Sequence, residues 1–280
     1  DYILRVPGVA QAPLDDAAIA ELLNWMARNL SSVPLPADFR DYTTEEVAAA
    51  RHRPLPAVQA RRAELLARLT REDVSAEALR FRDVRRTFVG GVPVILLRLS
   101  FSGELGYEIY CEPQFHLALF EQIERQGADL GLRLYGARAL MSLRLEKQWG
   151  VWTLDYRPDF TAAQSGLDAF IDWNHSFIGR EAALEERDAG PTRRLVTLTV
   201  DVDQQDVVGD EAILCDSECV GHVTSGGYAH HVSQSVAFGY VSSGYAVAGR
   251  RLQVEIDGVM RAAVVQGAPL YDPDGARMRA

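Results

Sequence analysis

The chain has 280 residues, and at about 100–200 residues per domain this length predicts two or three domains. Its formal net charge of −10 argues against a non-specific nucleic-acid binder, which needs a basic face, and no run approaches the ~18 apolar residues of a membrane helix. The three cysteines (Cys111, Cys215 and Cys219) do not suit a disulfide framework or a zinc site, and they predict reduced thiols in a cytoplasmic protein.

Two helices are predicted in residues 1–55, which we assign to a first domain. Residues 13–30 have apolar side chains at helical spacing and an aspartate, Asp15 or Asp16, that can cap the helix. The apolar side chains of this face are Ile19, Leu22, Leu23, Met26 and Leu30. A shorter helix is predicted to begin at Thr43 or Thr44 and to end before Pro54, and the prolines there mark a domain boundary.

Residues 56–188 alternate predicted helices with paired strands, which is typical of an α+β domain. Two β-rich runs flank Gly90 and Gly91, a pair that favours a hairpin turn. Helices are predicted in residues 113–127, where Gly127 ends the first, and in residues 136–149. The strand before them lies in "SFSGELGYEIYCEP", and alternate residues should share one of its faces: Leu105, Tyr107, Ile109 and Cys111. We expect a ferredoxin-like α/β arrangement for this middle domain.

Residues 189–280 show a different pattern. Short β-rich runs follow one another at steady spacing, with Gly, Asp and Ser between them and no helical periodicity. This pattern predicts a small C-terminal antiparallel β-barrel. The whole chain is therefore predicted to be an α+β protein with an N-terminal helical segment, a middle α/β domain and a C-terminal barrel.

The stretch "SFSGELGYEIYCEP" contains two acids, Glu104 and Glu108. Glu104 lies at the start of the predicted strand between glycines, which allow a backbone to approach a ligand closely. A carboxylate at such a position can accept hydrogen bonds from an amino-pyrimidine ring or an amine. The competing interpretation is an ordinary solvated acid at a strand start, and spacing alone favours it.

Four motifs occur in order along the second part of the chain: "SFSGELGYEIY", "YGARALMSLRLEKQWGVW", "SGLDAFIDWNHSFIGREAAL" and "GHVTSGGYAHHVSQSVAFGYV". Together they make residues 57–280 resemble the glycine-cleavage T-protein (aminomethyltransferase) family. The closing "APLYDPDGARMRA" is similar to the dimethylglycine and sarcosine dehydrogenase branch of that family. The resemblance implies a tetrahydrofolate-dependent transferase of one-carbon groups, carried as aminomethyl or methylene units.

The resemblance also implies a folate site. Glu104 and Glu108 would lie against the pterin ring of tetrahydrofolate, and Tyr107 would flank it. Arg138 would pair with the glutamyl tail or order a nearby acid, and Trp152 would line the pocket. Without the resemblance, Arg138 is interpreted as a helix-start arginine that bridges to an acid, and Trp152 as ordinary core material.

Several family features have no counterpart in this chain. The family's catalytic aspartate belongs to a segment that precedes the part aligned from Val58, so no catalytic residue is assigned. Ala139 replaces the acid that usually follows "GAR", and no G-x-G-x-x-G fingerprint indicates an FAD site. The expected partners are a small N-methyl amine or aminomethyl donor and a flavin-containing dehydrogenase domain or subunit, with no nucleic acid, membrane or metal.

Two other functions compete with the transferase. The first is a non-catalytic, truncated module that binds folate or docks a partner. The second is an electron-transfer fusion, because residues 1–55 resemble the C-terminal tail of a c-type cytochrome. Haem attachment needs C-x-x-C-H, which the chain lacks, so this segment is interpreted as a haem-less remnant. His230 and His231 are interpreted as loop histidines, because adjacent side chains rarely chelate one ion.

Overall fold

The computed structural model describes residues 14–29, 34–35, 39–51, 58–203 and 205–279. The chain divides into two compact units, residues 1–58 and 59–280. The prolines predicted to mark a boundary at 54–57 lie outside the described residues. Within the described part of the chain, every helix is too short or too polar to cross a membrane.

The first unit contains helices α1 (Asp16–Asn29) and α2 (Thr44–Arg51). The predicted caps are confirmed: Asp15 Oδ1 accepts the Ala18 N–H at 2.8 Å, and the Thr43 hydroxyl accepts the Glu46 N–H at 3.3 Å. The small core consists of Ile19, Ala20, Leu23 and Val47.

The prediction that Leu22 belongs to the buried apolar face of α1 is wrong. Leu22 is 46% exposed although its neighbour Leu23 is buried. Successive helical residues are rotated by about 100°, and a core provided by one short partner helix is too narrow to cover both. Leu30, the last residue of the predicted face, lies outside the described residues.

The second unit begins with helix α3 (Val58–Leu69) and a three-stranded antiparallel sheet, in the order β1 (Val84–Val89), β2 (Val92–Leu97) and β3 (Glu108–Tyr110). Helix α4 (His116–Gly127) follows after a 3₁₀ turn. The buried core between helices and sheet includes Leu66, Leu69, Val74, Leu79, Val89, Val92, Val94, Leu96 and Leu119.

The predicted hairpin at Gly90 and Gly91 is confirmed. Both glycines have positive φ, +58° and +80°, as a two-residue turn of this hand requires. The predicted alternation in the third strand is confirmed as well, because Tyr107, Ile109 and Cys111 pack against the core of the sheet. The strand itself is shorter than predicted and spans only three residues.

Helices α5 (Ala137–Glu146) and α6 (Arg180–Ala189) come after α4 and before the barrel strands in the order of the chain. The sequence predicted α5 but not α6. The sequence of α6, REAALEERDA, is dominated by charged residues, so its apolar periodicity is too weak to indicate a helix.

The predicted C-terminal barrel is confirmed. Six antiparallel strands form a closed barrel in the order β4-β7-β6-β5-β8-β9. Their bounds are β4 Arg193–Val200, β5 Ala212–Cys215, β6 Glu218–Ala229, β7 Gln234–Ser242, β8 Arg251–Ile256 and β9 Val259–Gln266. Closure pairs the first strand with the last and so leaves no free sheet edge. A short helix, α7 (Ala276–Arg279), ends the described chain.

Candidate functional site

Glu104 lies in the loop between β2 and β3, and its side chain is only 17% exposed. Two glycines shape this loop. Gly103 has a φ of +82°, in the left-handed region, and a Cβ atom on Gly106 would lie 2.6 Å from the carbonyl oxygen of Leu99. Both positions therefore need glycine, and they turn the Glu104 side chain inward.

The two carboxylate oxygens of Glu104 have different surroundings. Oε1 accepts hydrogen bonds from the Tyr271 hydroxyl and, at 2.9 Å, from Arg277 Nε. Oε2 is buried and has no hydrogen-bond partner among the described residues. A buried carboxylate oxygen without a partner is costly, so this atom is ready to accept a hydrogen bond from a ligand donor.

The contact with Glu104 changes the acid–base properties of its two partners. Burial, together with the bond to Glu104, raises the pKa of Tyr271. The bond to Glu104 also raises the pKa of Arg277, against the opposing effect of burial. The phenol therefore stays protonated and the guanidinium stays charged, as both donor roles require.

The C-terminal tail, residues 271–279, is held against helix α5 by Lys147. The Lys147 ammonium donates to the carbonyl oxygen of Asp272 and, at 3.2 Å, to its carboxylate. The same carboxylate accepts the main-chain N–H groups of Ala276 at 3.0 Å and Arg277 at 3.2 Å, and so caps α7. Asp272 thus orders the residues that reach Glu104.

Glu146, the last residue of α5, is buried with 1% of its surface exposed. Its Oε1 accepts the His231 N–H at 2.6 Å, and its carbonyl oxygen accepts the Tyr271 N–H at 3.0 Å. The His231 ring meets the Tyr271 ring edge-on at 4.6 Å. Burial raises the pKa of Glu146, although main-chain donors oppose the shift. The end of α5, the β6–β7 turn and the tail therefore meet beside Glu104.

A buried ion pair fastens α5 to the following turn. Arg144 Nη1 lies 2.9 Å from Asp155 Oδ2, and the Val151 N–H donates to the same oxygen at 2.8 Å. The Arg144 guanidinium also lies over the Phe238 ring at 5.0 Å. Burial lowers the pKa of Arg144, and the charge of Asp155 partly offsets this effect.

A β-bulge connects the same aspartate to the barrel. The register of β6 against β7 shifts between Val223 and Ser225, which leaves Thr224 as an extra residue. Both hydroxyls, from Thr224 and Ser225, donate to Asp155 Oδ1, the latter at 2.6 Å. The Tyr240 hydroxyl donates to the main-chain oxygen of Asp155 at 2.9 Å. Asp155 therefore joins α5 and the barrel through one polar network in which both of its carboxylate oxygens accept hydrogen bonds.

Arg138 is exposed at the start of α5 and makes no ion pair or hydrogen bond with any described residue. The bridge to an acid that residue patterns alone favoured is therefore absent from the described part. Arg138 shares a helix face with Ser142 and Glu146, which contact the β6–β7 turn. It lies about 14 Å along the helix from Lys147, at about 1.5 Å per residue, so it does not contact Glu104.

The other three predicted site residues lie apart from Glu104. Tyr107 packs against the sheet core, and burial raises its pKa. Glu108 is exposed and accepts the Tyr110 hydroxyl at 2.7 Å. Trp152 is 75% exposed and meets the Tyr156 ring edge-on at 5.8 Å. Among the described residues, no hydrogen bond or ring contact joins these three to Glu104, so their role at the pterin stays a prediction.

Four residues around Glu104 were not predicted from the sequence: Glu146, Lys147, Tyr271 and Arg277. The family motif "YGARALMSLRLEKQWGVW" contains Glu146 and Lys147, and the branch motif "APLYDPDGARMRA" contains Tyr271 and Arg277, but neither motif indicated a role for these side chains. Tyr271 and Arg277 are 167 and 173 positions from Glu104, so no local spacing could have connected them.

A separate cavity of about 240 Å³ lies between α6 and the segment before it. Its lining includes Trp173, Asp168 and Glu186, with alanines from both sides. None of the five predicted site residues lines this cavity, so it is distinct from the Glu104 site.

Comparison with protein families identifies two successive domains. Residues 14–175 match the GCVT N-terminal domain, and residues 193–272 match the glycine cleavage T-protein C-terminal barrel domain. The first match begins at residue 14 and so includes much of the segment that we likened to a cytochrome tail. That resemblance of residues 1–55 finds no further support and stays a prediction.

Similar proteins include both aminomethyltransferases and N-methyl amino acid dehydrogenases, the two groups to which the motifs are similar. Human mitochondrial dimethylglycine dehydrogenase is 34% identical over 77% of this chain and 25% of its own length. The aminomethyltransferase of Caldanaerobacter subterraneus is 29% identical over 74% of this chain and 55% of its own length. The crystal structure of aminomethyltransferase T from Bartonella henselae superposes with a TM-score of 0.60 and 28% identity, over 64% of this chain and 50% of that one. The chain thus spans about a quarter of the dehydrogenase and about half of each transferase.

Proposed function

The chain belongs to the glycine-cleavage T-protein family, and from this membership we propose that residues 59–280 bind tetrahydrofolate and serve folate-dependent one-carbon transfer. The observation that carries the proposal is the buried Oε2 of Glu104, which has no partner in the described part of the chain. The 2-amino group of a pterin supplies the N–H donor that this oxygen lacks.

The separation of Glu104 and Arg138 supports an extended ligand. Arg138 lies at the start of α5. Lys147 lies just after its end and packs beside Gly103 in the Glu104 loop. Folate has a ring amine at one end and a carboxylate tail at the other. We therefore assign the ring to Glu104 and the tail carboxylate to Arg138, whose guanidinium is free to form a paired hydrogen bond.

Tetrahydrofolate, when bound, supplies the nitrogen that takes up the one-carbon unit. The residues of this chain bind and orient it: Glu104 accepts hydrogen bonds from the ring, and the buried Glu146 lies beside the partly buried Tyr271, which limits access of water. Holding two reactants together in a shielded site is the main physical source of acceleration in such a transfer. We propose that an N-methyl amine or an aminomethyl compound is the donor of the one-carbon unit.

The proposal is tested by calorimetric titration with 5-formyltetrahydrofolate, a stable reduced folate. Glu104→Gln should weaken binding at least tenfold, because a hydrogen bond to a charged group contributes about 1.5–3 kcal/mol. Glu112→Gln is the matched control, since this exposed acid follows the same strand and is not a predicted site residue, and its affinity should stay within twofold. Absence of saturable binding up to millimolar ligand would exclude the proposal.

A folate-binding module without its own turnover is the second candidate. It is favoured by the described contacts of Glu104, which can bind a ligand but include no residue assigned to catalysis. Single-turnover assays of the chain, alone and with a flavin-containing N-methyl amino acid dehydrogenase, distinguish the two. Turnover by the chain alone supports the transferase, and turnover only with the dehydrogenase supports a partner-dependent module. We also propose a cytoplasmic location, based on the sparse, free cysteines.

A further inference from the structure

We propose that the C-terminal tail positions Glu104: Tyr271 and Arg277 hold Oε1 so that Oε2 is presented to an N–H donor of the ligand. Tyr271 and Arg277 are thus positioning residues that act through Glu104. This inference rests on the proposed folate site and adds to it the origin of its selectivity for a ligand with a ring amine.

The geometry of the carboxylate is the first argument. Two donors converge on Oε1, a hydroxyl from Tyr271 and a charged N–H from Arg277, and none of the described residues donates to Oε2. A carboxylate held at one oxygen by two donors cannot rotate freely. Such charge-assisted bonds are short and directional, so the tail determines where the second oxygen points.

The tail is anchored by contacts that do not involve Glu104. Lys147 binds Asp272, and the Tyr271 N–H donates to the carbonyl oxygen of Glu146. The Gln59 side chain donates to the Arg277 carbonyl oxygen at 3.1 Å, and Met278 is buried. Because the tail is ordered by these groups, it is able to impose an orientation on Glu104.

The Glu104 loop, in turn, packs directly against the tail. A Cβ atom on Gly103 would lie 3.0 Å from Lys147 Cδ and 3.4 Å from Tyr271 Cδ1, so the loop backbone packs directly against both. Arg277 also lies over the Tyr271 ring at 5.5 Å, which holds the two donors together. Loss of the tail contacts would leave the carboxylate free to turn toward solvent.

The chemistry of Oε2 determines which ligands fit. An ionised carboxylate only accepts hydrogen bonds, so the site selects an N–H donor. A site built to hydrogen-bond one group rejects an analogue that lacks it, because its own polar atom stays unpaired. We therefore expect a 2-desamino pterin analogue to bind at least tenfold more weakly than the parent compound.

The experiment measures the affinity of 5-formyltetrahydrofolate for three tail variants. Arg277→Met should weaken binding at least tenfold and Tyr271→Phe severalfold. Arg279→Met is the matched control, because this exposed arginine of the same helix bonds only the Asp274 carbonyl among the described residues, and its affinity should stay within twofold. Equal affinities of the Arg277→Met and Arg279→Met variants would overturn the inference.

A double-mutant cycle tests whether Arg277 acts through Glu104. In the Glu104→Gln background, Arg277→Met should change the affinity by less than twofold, since the acceptor is already altered. Two fully additive losses would instead indicate that Arg277 contacts the ligand by itself, and the positioning role would be rejected.

Amide hydrogen exchange gives a readout that needs no ligand. Arg277→Met should speed exchange in residues 100–107, whereas Arg279→Met should not. If the wild-type chain binds no folate, the proposed function fails, and the exchange result still decides whether the tail positions the loop. Unchanged exchange in the Arg277→Met variant rejects the inference independently of folate binding.

Discussion

Arg144 and Asp155 form an ion pair at 2.9 Å in which neither side chain is more than 1% exposed. The pair joins the helix that carries Glu146 to the barrel strand that carries Thr224 and Ser225. Desolvation of two charges is costly, and here it is offset by hydrogen bonds to both oxygens of Asp155. The folate site proposed above therefore depends on a polar network that touches none of its ligand-binding atoms.

Removing one member of this pair should be strongly destabilising. We expect Asp155→Ala to lower the free energy of unfolding by about 3–5 kcal/mol, because it leaves the Arg144 charge buried without a partner. Urea denaturation measures the change. The exposed pair Arg187–Asp188 supplies the control, and Asp188→Ala should change stability by less than about 0.5 kcal/mol. Similar losses in the two variants would contradict the importance of burial.

Gly150 is required by close packing. A Cβ atom at this position would lie 2.4 Å from Cζ of Tyr156, so Gly150→Ala must displace the ring. We expect a loss of about 1–3 kcal/mol, as is usual for overpacking. Gly244→Ala is the control, since Gly244 does not have positive φ and has no heavy atom within 4 Å of the added methyl group. Thermal denaturation of both variants distinguishes packing from a general effect of glycine replacement.

Glu146 should make stability depend on pH. Its folded pKa lies above the ordinary value of 4.5, so the folded state binds the proton more tightly than the unfolded state. Stability therefore falls as pH rises from about the unfolded pKa through the folded pKa, and then levels off. Glu146→Gln keeps an acceptor for the His231 N–H and removes this loss.

The variant should accordingly be more stable than the wild type at pH 7–8, and the difference should shrink as pH falls toward 4.5. Denaturation curves at several pH values measure this difference. Glu185→Gln, at an exposed position of α6, controls for the change in net charge. A difference that grows on acidification would have the wrong sign and would contradict the assignment.

Asp272 should control the order of the C-terminal tail. Asp272→Ala removes the cap of α7 and the carboxylate that pairs with Lys147, and loss of a helix cap costs about 0.5–2 kcal/mol locally. We expect faster amide exchange at Ala276 and Arg277 with little change in the barrel. Asp274→Ala, at an exposed neighbouring position, should leave exchange unchanged. Equal exchange in the two variants would show that Asp272 does not hold the tail.

Local patterns were sufficient to predict most elements of the second unit. The glycine pair predicted the β1–β2 hairpin, the alternation of Tyr107, Ile109 and Cys111 predicted a strand face, and the evenly spaced C-terminal strands predicted the barrel. These predictions succeed because turn sterics and side-chain periodicity act over only a few residues. The ordered motifs likewise identified the family, since they depend on residue order and not on contacts.

The sequence by itself determined the elements, their order and the family, whereas the tertiary structure decided how the acids differ. Glu104 and Glu108 are four positions apart in one motif, yet one is buried against Tyr271 and Arg277 and the other is exposed. The bulge at Thr224, which brings two hydroxyls to Asp155, was equally invisible in the sequence. Such contacts join residues far apart in the chain, and only the packing of helix, barrel and tail brings them within hydrogen-bond distance.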